Sequence, residues 1–169
     1  MVAGAIIGGS MAFDSRLQRD IMGRFVTGVT VVTTRYKNGD ITGMTANAVM
    51  SLSLDPPLVV VSVDKSATMH SALSDGQCYA INILTREQEH LSNRFAMPGP
   101  KDFSDLTLRE SKTGAPILEG TLGYLDCKIV NILPAGDHDM FVGEILAGEL
   151  GEGNPLLYYG GKYRSLAEE

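Results

Sequence analysis

Between Gly43 and Asp64 the chain reads GMTANAVMSLSLDPPLVVVSVD, and four side chains in it could do polar work among apolar neighbours: Thr45, Asn47, Ser51 and Ser53. Hydroxyls and an amide in a strand-like apolar run predict buried polar groups, which cost free energy unless something hydrogen-bonds them. The run from Leu58 to Val63 that follows the doubled proline Pro56-Pro57 is nearly all β-branched and apolar, so it predicts a strand buried on both faces. A polar, turn-rich shoulder beside a dry strand suits a rigid site for a polar planar ligand. The same residues also have a plainer reading, as turn formers that close a strand end.

The elements that must position this shoulder follow from periodicity and turn chemistry. Phe13, Leu17, Ile21 and Phe25 recur every four residues after Asp14 and Ser15, which predicts an amphipathic, core-facing helix ending near Gly28. GVTVVTTRY predicts a strand, Asn38-Gly39 a tight hairpin turn, and ITGMTANAVM the antiparallel return. Ser66 opens a short helix holding Met69, His70 and Leu73 up to Gly76, and QCYAINIL is the next strand. Thr85 with Gln88 forms a capping box for a helix carrying Leu91, Arg94 and Phe95, which Pro98-Gly99-Pro100 ends. Lys101 to Pro116 reads as irregular with one short strand near Leu106. Two long strands, TLGYLDCKIVNIL and MFVGEILAGEL, are joined by Pro134 to Asp139, and LLYY meets a Gly160-Gly161 turn. Hairpin-linked strands with a few short peripheral helices predict a mainly β, antiparallel barrel of six or seven strands.

Composition bounds the rest. A chain of 169 residues is one domain, large enough to bury roughly 70% of its unfolded surface without staples. Residues 13–169 read as that domain and 1–12, apolar and glycine-rich, as a flexible extension too short to span a membrane. A net charge of −6 argues against nucleic acid and anionic membranes as partners. Cys78 and Cys127 lie in apolar segments without paired spacing, and read as reduced core residues of a cytoplasmic protein. The three histidines lack ligand spacing, so no metal is expected. No phosphate loop, GxGxxG, HExxH or GxSxG is present.

Five motifs occur in order: GRFVTGVTVVTT, GMTANAV, SLSLDPPLVVVSVD, the NRFA of Asn93 to Ala96, and the GDH of Gly136 to His138. On these the chain resembles the flavin reductase components of two-component flavin-dependent monooxygenases, which share the FMN-binding split-barrel fold. The resemblance runs from Phe13 to Tyr163. It implies hydride transfer from NADH or NADPH to FMN or FAD, delivery of reduced flavin to a partner monooxygenase, and a homodimer. Two alternatives stay open: a flavin-bound reductase of ferric chelates or other small acceptors, and a flavin-binding protein without turnover.

The resemblance also implies where the flavin lies. Its ring would meet Gly43, Met44, Thr45, Ala46, Asn47 and Ala48, with Ser51 and Ser53 beyond, and Ser62, Val63 and Asp64 on the neighbouring strand. Small residues allow close approach. Its phosphate would fall near Lys65, Thr68 and Met69, where a helix start offers N–H donors. Arg94 is suited to phosphate, though as a lone arginine it reads equally as a solvated helix residue. Gly136 and Asp137 are first of all turn formers, and the resemblance makes His138 a contact on the nicotinamide side. No general acid or base is required, because the cofactors carry the chemistry. Asp139 stands where a neutral threonine is usual in relatives, and a free negative charge there would favour NADH over NADPH.

Overall fold

The computed structural model describes residues 13–167, so the extension expected over 1–12 lies outside the described residues. Seven strands form one antiparallel sheet in the order β3-β2-β6-β9-β10-β5-β4. They are β2 (Thr30–Arg35), β3 (Ile41–Ala46), β4 (Val49–Leu54), β5 (Pro57–Asp64), β6 (Cys78–Ile83), β9 (Gly123–Ala135) and β10 (His138–Leu150). Smaller sheets join β1 (Thr27–Gly28), β11 (Leu157–Tyr159) and β12 (Lys162–Arg164), and pair β7 (Leu108–Glu110) with β8 (Pro116–Leu118). Outside the sheets, the described residues form the α-helices α1 (Ser15–Met22), α2 (Thr68–Gly76) and α3 (Glu89–Ala96). The expected antiparallel split barrel is therefore present, and its two sheet edges, β3 and β4, are consecutive in the chain.

Only Asn47 and Ala48 separate those edges, and the Ser62 N–H donates to the Ala48 carbonyl across the junction (3.0 Å). Beyond it, among the described residues, β3 has no strand on its outer side. ITGMTANAVM is thus two strands with a bend between them, not one. The barrel interior is dry: Val32, Val61, Val63, Tyr79, Ile81, Cys127 and Phe141 cluster there with Leu73 of α2. Alternate residues of β2 face the other way, where Val31 meets Leu91 and Phe95 of α3. Val59 to Val61 and Val63 are buried as the apolar run predicts.

Three expectations need correction. Asn47 and Ser51 are exposed and Thr45 and Ser53 half-buried, because β4 is a sheet edge with an open face. Buried polar side chains lie elsewhere, Thr33, Thr34 and Asn82 among them, each bonded to backbone: Thr34 donates to the Cys78 carbonyl (2.7 Å), and Asn82 donates to Val31 and accepts from Leu118 N–H (3.0 and 2.8 Å). The apolar stripe of α1 is not core: Phe13, Leu17, Ile21 and Phe25 are 46–69% exposed, and the helix ends at Gly23. Finally, β9 and β10 run to within a two-residue turn, Gly136-Asp137, rather than a six-residue connection.

Candidate functional site

The unpaired outer edge of β3 opens on cavities. One, of about 290 Å³, lies between Thr42–Met44, the stretch Ser66–Met69 that opens α2, and Phe95–Gly99 with Lys101. A second, of about 400 Å³, continues along Met44–Asn47 and shares Met44 and Ala96 with the first. Its far wall is aromatic: Tyr158 and Tyr163 of the β11–β12 hairpin meet edge to face at 5.7 Å. A sheet edge presents a row of unpaired N–H and C=O groups, and small residues at Gly43 and Ala46 keep side-chain bulk off it.

Hydrogen bonds fix the walls. Thr45 donates to the Ser92 carbonyl (2.6 Å), pinning α3 to β3, and the Ser92 hydroxyl meets the Tyr163 hydroxyl at 2.8 Å. Asn47 donates to the Thr27 hydroxyl (3.2 Å). Asp64 does not enter the cavity as a bare charge: it accepts from the Ser66 N–H and hydroxyl (both 2.7 Å), shaping the turn into α2, and these bonds hold its carboxyl below the usual range. α2 starts without a side-chain cap at Ala67, and its first residues, Thr68 and Met69, line this space.

Lys65 bolts this turn to the β9–β10 hairpin. Its backbone N–H donates to the Asp137 carbonyl (3.0 Å), its ammonium to the Gly136 carbonyl (2.6 Å), and it lies 3.4 Å from the Asp139 carboxylate. His138, opposite Asp64 in the ladder, shares a 2.7 Å hydrogen bond with the Asp137 carboxylate. Asp139 is not the free charge expected from the sequence. Its side chain is 14% exposed and bonds His70 Nε2 at 2.7 Å, so Lys65 and His70 screen it from any nucleotide, and the electrostatic reason given for preferring NADH falls away.

Gly43, Met44, Thr45, Ala46 and Asn47 are therefore brought together with Thr68 and Met69 around one space. Ala48 and Ser62 sit at the junction, and Val63 is buried in the barrel. Ser51 and Ser53 lie on β4 and line neither cavity. Nor does Arg94, whose guanidinium grips Asp105 at two points (2.5 and 2.8 Å) and the Asp102 carbonyl at 3.2 Å, which raises its pKa. The cation that does line the cavity is Lys101, a residue sequence reasoning passed over inside an irregular segment. Its ammonium donates to the Met97 carbonyl and has no carboxylate partner among the described residues, and burial lowers its pKa.

This donor set fits an isoalloxazine nucleotide: an unpaired strand edge for the ring's alternating donors and acceptors, aromatic and apolar walls for its faces, and helix N–H groups with Lys101 for phosphate. The flavin reductase like domain matches residues 22–167. The chain belongs to this family. It is 42% identical over 150 residues to the FMN reductase (NADH) SmoA of Agrobacterium fabrum, covering 89% of this chain and 85% of that protein. With the reductase component of a 4-nitrophenol 4-monooxygenase/4-nitrocatechol 2-monooxygenase of Rhodococcus opacus it shares 38% identity over 145 residues, 86% of this chain and 77% of the relative. The structure of flavin reductase PheA2 superposes with a TM-score of 0.85 at 43% identity, covering 92% of this chain and all of that one.

Proposed function

We propose that this flavin reductase family member binds FMN or FAD along the free edge of β3, accepts NADH as the electron donor and supplies reduced flavin to a partner monooxygenase. Bound flavin and reduced nicotinamide supply the hydride transfer themselves, from nicotinamide C4 to flavin N5. The chain's contribution is to position and to exclude water. The edge of β3 orients the ring, the start of α2 and Lys101 hold the phosphate, and the turn at Gly136-Asp137 presents His138 on the nicotinamide side. The observation that carries the reading is the unpaired edge of β3 facing a cavity whose opposite wall is the uncapped start of α2. No acid–base pair is needed, and the charge cluster of Asp139 with Lys65 and His70 serves to hold two loops together.

The homodimer belongs to the same proposal. The exposed faces of Leu17 and Ile21 on α1, of Phe13 and Phe25 flanking it, and of Met50, Leu52 and Leu54 on β4 make more apolar surface than a monomer ordinarily leaves open. A second copy covers them in this reading, and light scattering of the purified chain reads its mass directly. Two buried free cysteines suit the cytoplasm. Among the described residues no helix is long and apolar enough to cross a membrane. The function is tested by NADH consumption in air: the rate rises with added flavin to saturation and stays at background without it. Flavin-saturated protein that leaves NADH untouched would return the chain to the reading of a binder without turnover.

A further inference from the structure

Asp139 is a largely buried charge that the proposed reaction leaves unused. It follows His138 on β10, pairs with Val63 of β5 in the ladder, and keeps a side chain only 14% exposed. Its Oδ2 bonds His70 Nε2 at 2.7 Å, while Oδ1, shut off from solvent and without a hydrogen-bond partner among the described residues, lies 3.4 Å from the Lys65 ammonium. Taking a carboxylate out of water is costly, and apolar residues of similar volume often hold two elements together as well. What this pair adds over apolar packing is a fixed geometry. His70 is the third residue of α2, directly after Thr68 and Met69, which line the 290 Å³ cavity. Its ring is also held edge to face at 5.3 Å by Phe141, the fully buried residue two positions beyond Asp139 on the same face of β10. The opening turn of α2 and the strand that carries His138 therefore share one rigid reference point, and neither Asp139 nor His70 lines the two cavities along β3.

Within the reading that a flavin lies along β3, we infer that Asp139 and His70 are positioning residues for the hydride step. Their bond fixes the start of α2, at the phosphate end of the flavin, against the hairpin that presents His138 to the nicotinamide. Both residues act through α2 and β10 rather than on a cofactor. The full chain, carrying one equivalent of flavin, is mixed anaerobically with saturating NADH well below its Tm, and the limiting rate of flavin bleaching is read. Asp139→Ala and His70→Leu should each slow that rate about tenfold, short of the roughly hundredfold cost of a misplacement of about 1 Å. The double variant should be no slower than the slower single one, because both changes break the same bond. His70→Gln keeps an N–H donor for Asp139 but loses the ring contact with Phe141, so it should recover the rate more fully than the Tm. Should Asp139→Ala not fold, the comparison of His70→Leu with His70→Gln decides alone. Wild-type bleaching rates in variants whose Tm falls would make the pair purely structural and overturn the inference. So would a His70→Gln as slow as His70→Leu, or a double variant in which the two losses multiply. Wild type that bleaches no faster than free flavin is a different result, and would refute the reductase reading itself.

Discussion

Gly43 is where the fold and the cavity meet, and replacing it tests both. An added Cβ would lie 3.0 Å from two ring carbons of Phe95 and 3.2 Å from the Thr33 methyl. Phe95 is 1% exposed and is itself held edge to face by Phe103 at 5.1 Å, so its ring has little room to yield. For Gly43→Ala the crowding, about 1 kcal/mol at the low end for overpacking, is largely offset by the 0.5–1 kcal/mol or so that alanine gains over glycine in a strand. Little change is expected. Gly43→Val adds two methyl groups to the same contact and should cost about 2 kcal/mol net, or roughly 4–8 °C in Tm for a domain of this size. Because Gly43 and Phe95 both line the 290 Å³ cavity, displacing the ring should also weaken flavin binding about tenfold, equivalent to about 1.4 kcal/mol. Thermal melts and a fluorescence titration read the two effects, and Phe95→Leu in the Gly43→Val background should recover part of each. Wild-type Tm and affinity in Gly43→Val would show that this contact does not set the cavity wall.

Three further outcomes follow from the same geometry. Asn47→Leu should weaken flavin binding by about 1–3 kcal/mol, through loss of an amide at the ring edge, while far-ultraviolet circular dichroism stays the same; wild-type affinity in that variant would remove Asn47 from the site. His138→Ala should raise the KM for NADH or slow the hydride step about fivefold with flavin affinity kept, since Gly136 and Asp137 set the turn; unaltered single-turnover kinetics would leave His138 a turn residue. Asp139 has its carboxyl held below the usual range, chiefly by the His70 hydrogen bond and then by Lys65. Its stabilisation is therefore complete above the unfolded value, about 3.9, and lost as pH falls through the lower folded one. The Tm gap between wild type and Asp139→Asn should close in that acid window, and a gap that persists there would contradict the assignment.

Much of this arrangement was legible because its causes are local. Asn38-Gly39 makes its turn with Gly39 at a φ of 94°, and Thr85 with Gln88 makes its capping box, since both depend on residues a few positions apart. The apolar run at Val59 to Val63 announced a buried strand for the same reason. What the sequence hid was set by distant partners. A four-residue apolar period shows that α1 has one greasy face but not what covers it, and the described chain leaves it open. That Thr45, Asn47, Ser51 and Ser53 flank two sheet edges depends on the order of seven strands, which no local pattern carries. Arg94 offers a guanidinium to any anion in sequence, yet Asp105, from an irregular loop, takes it. Lys101 gave no signal, because only the packing of the Pro98–Lys101 stretch against Thr42 brings it to the cavity.

The central claim is that this chain brings reduced nicotinamide and flavin together productively, and anaerobic stopped-flow mixing tests it most directly. Protein carrying one equivalent of flavin is mixed with NADH, and the long-wavelength absorption of oxidised flavin is followed. The account predicts complete bleaching at a rate that saturates with NADH and far exceeds that of free flavin with NADH. Bleaching no faster than the protein-free reaction would contradict it.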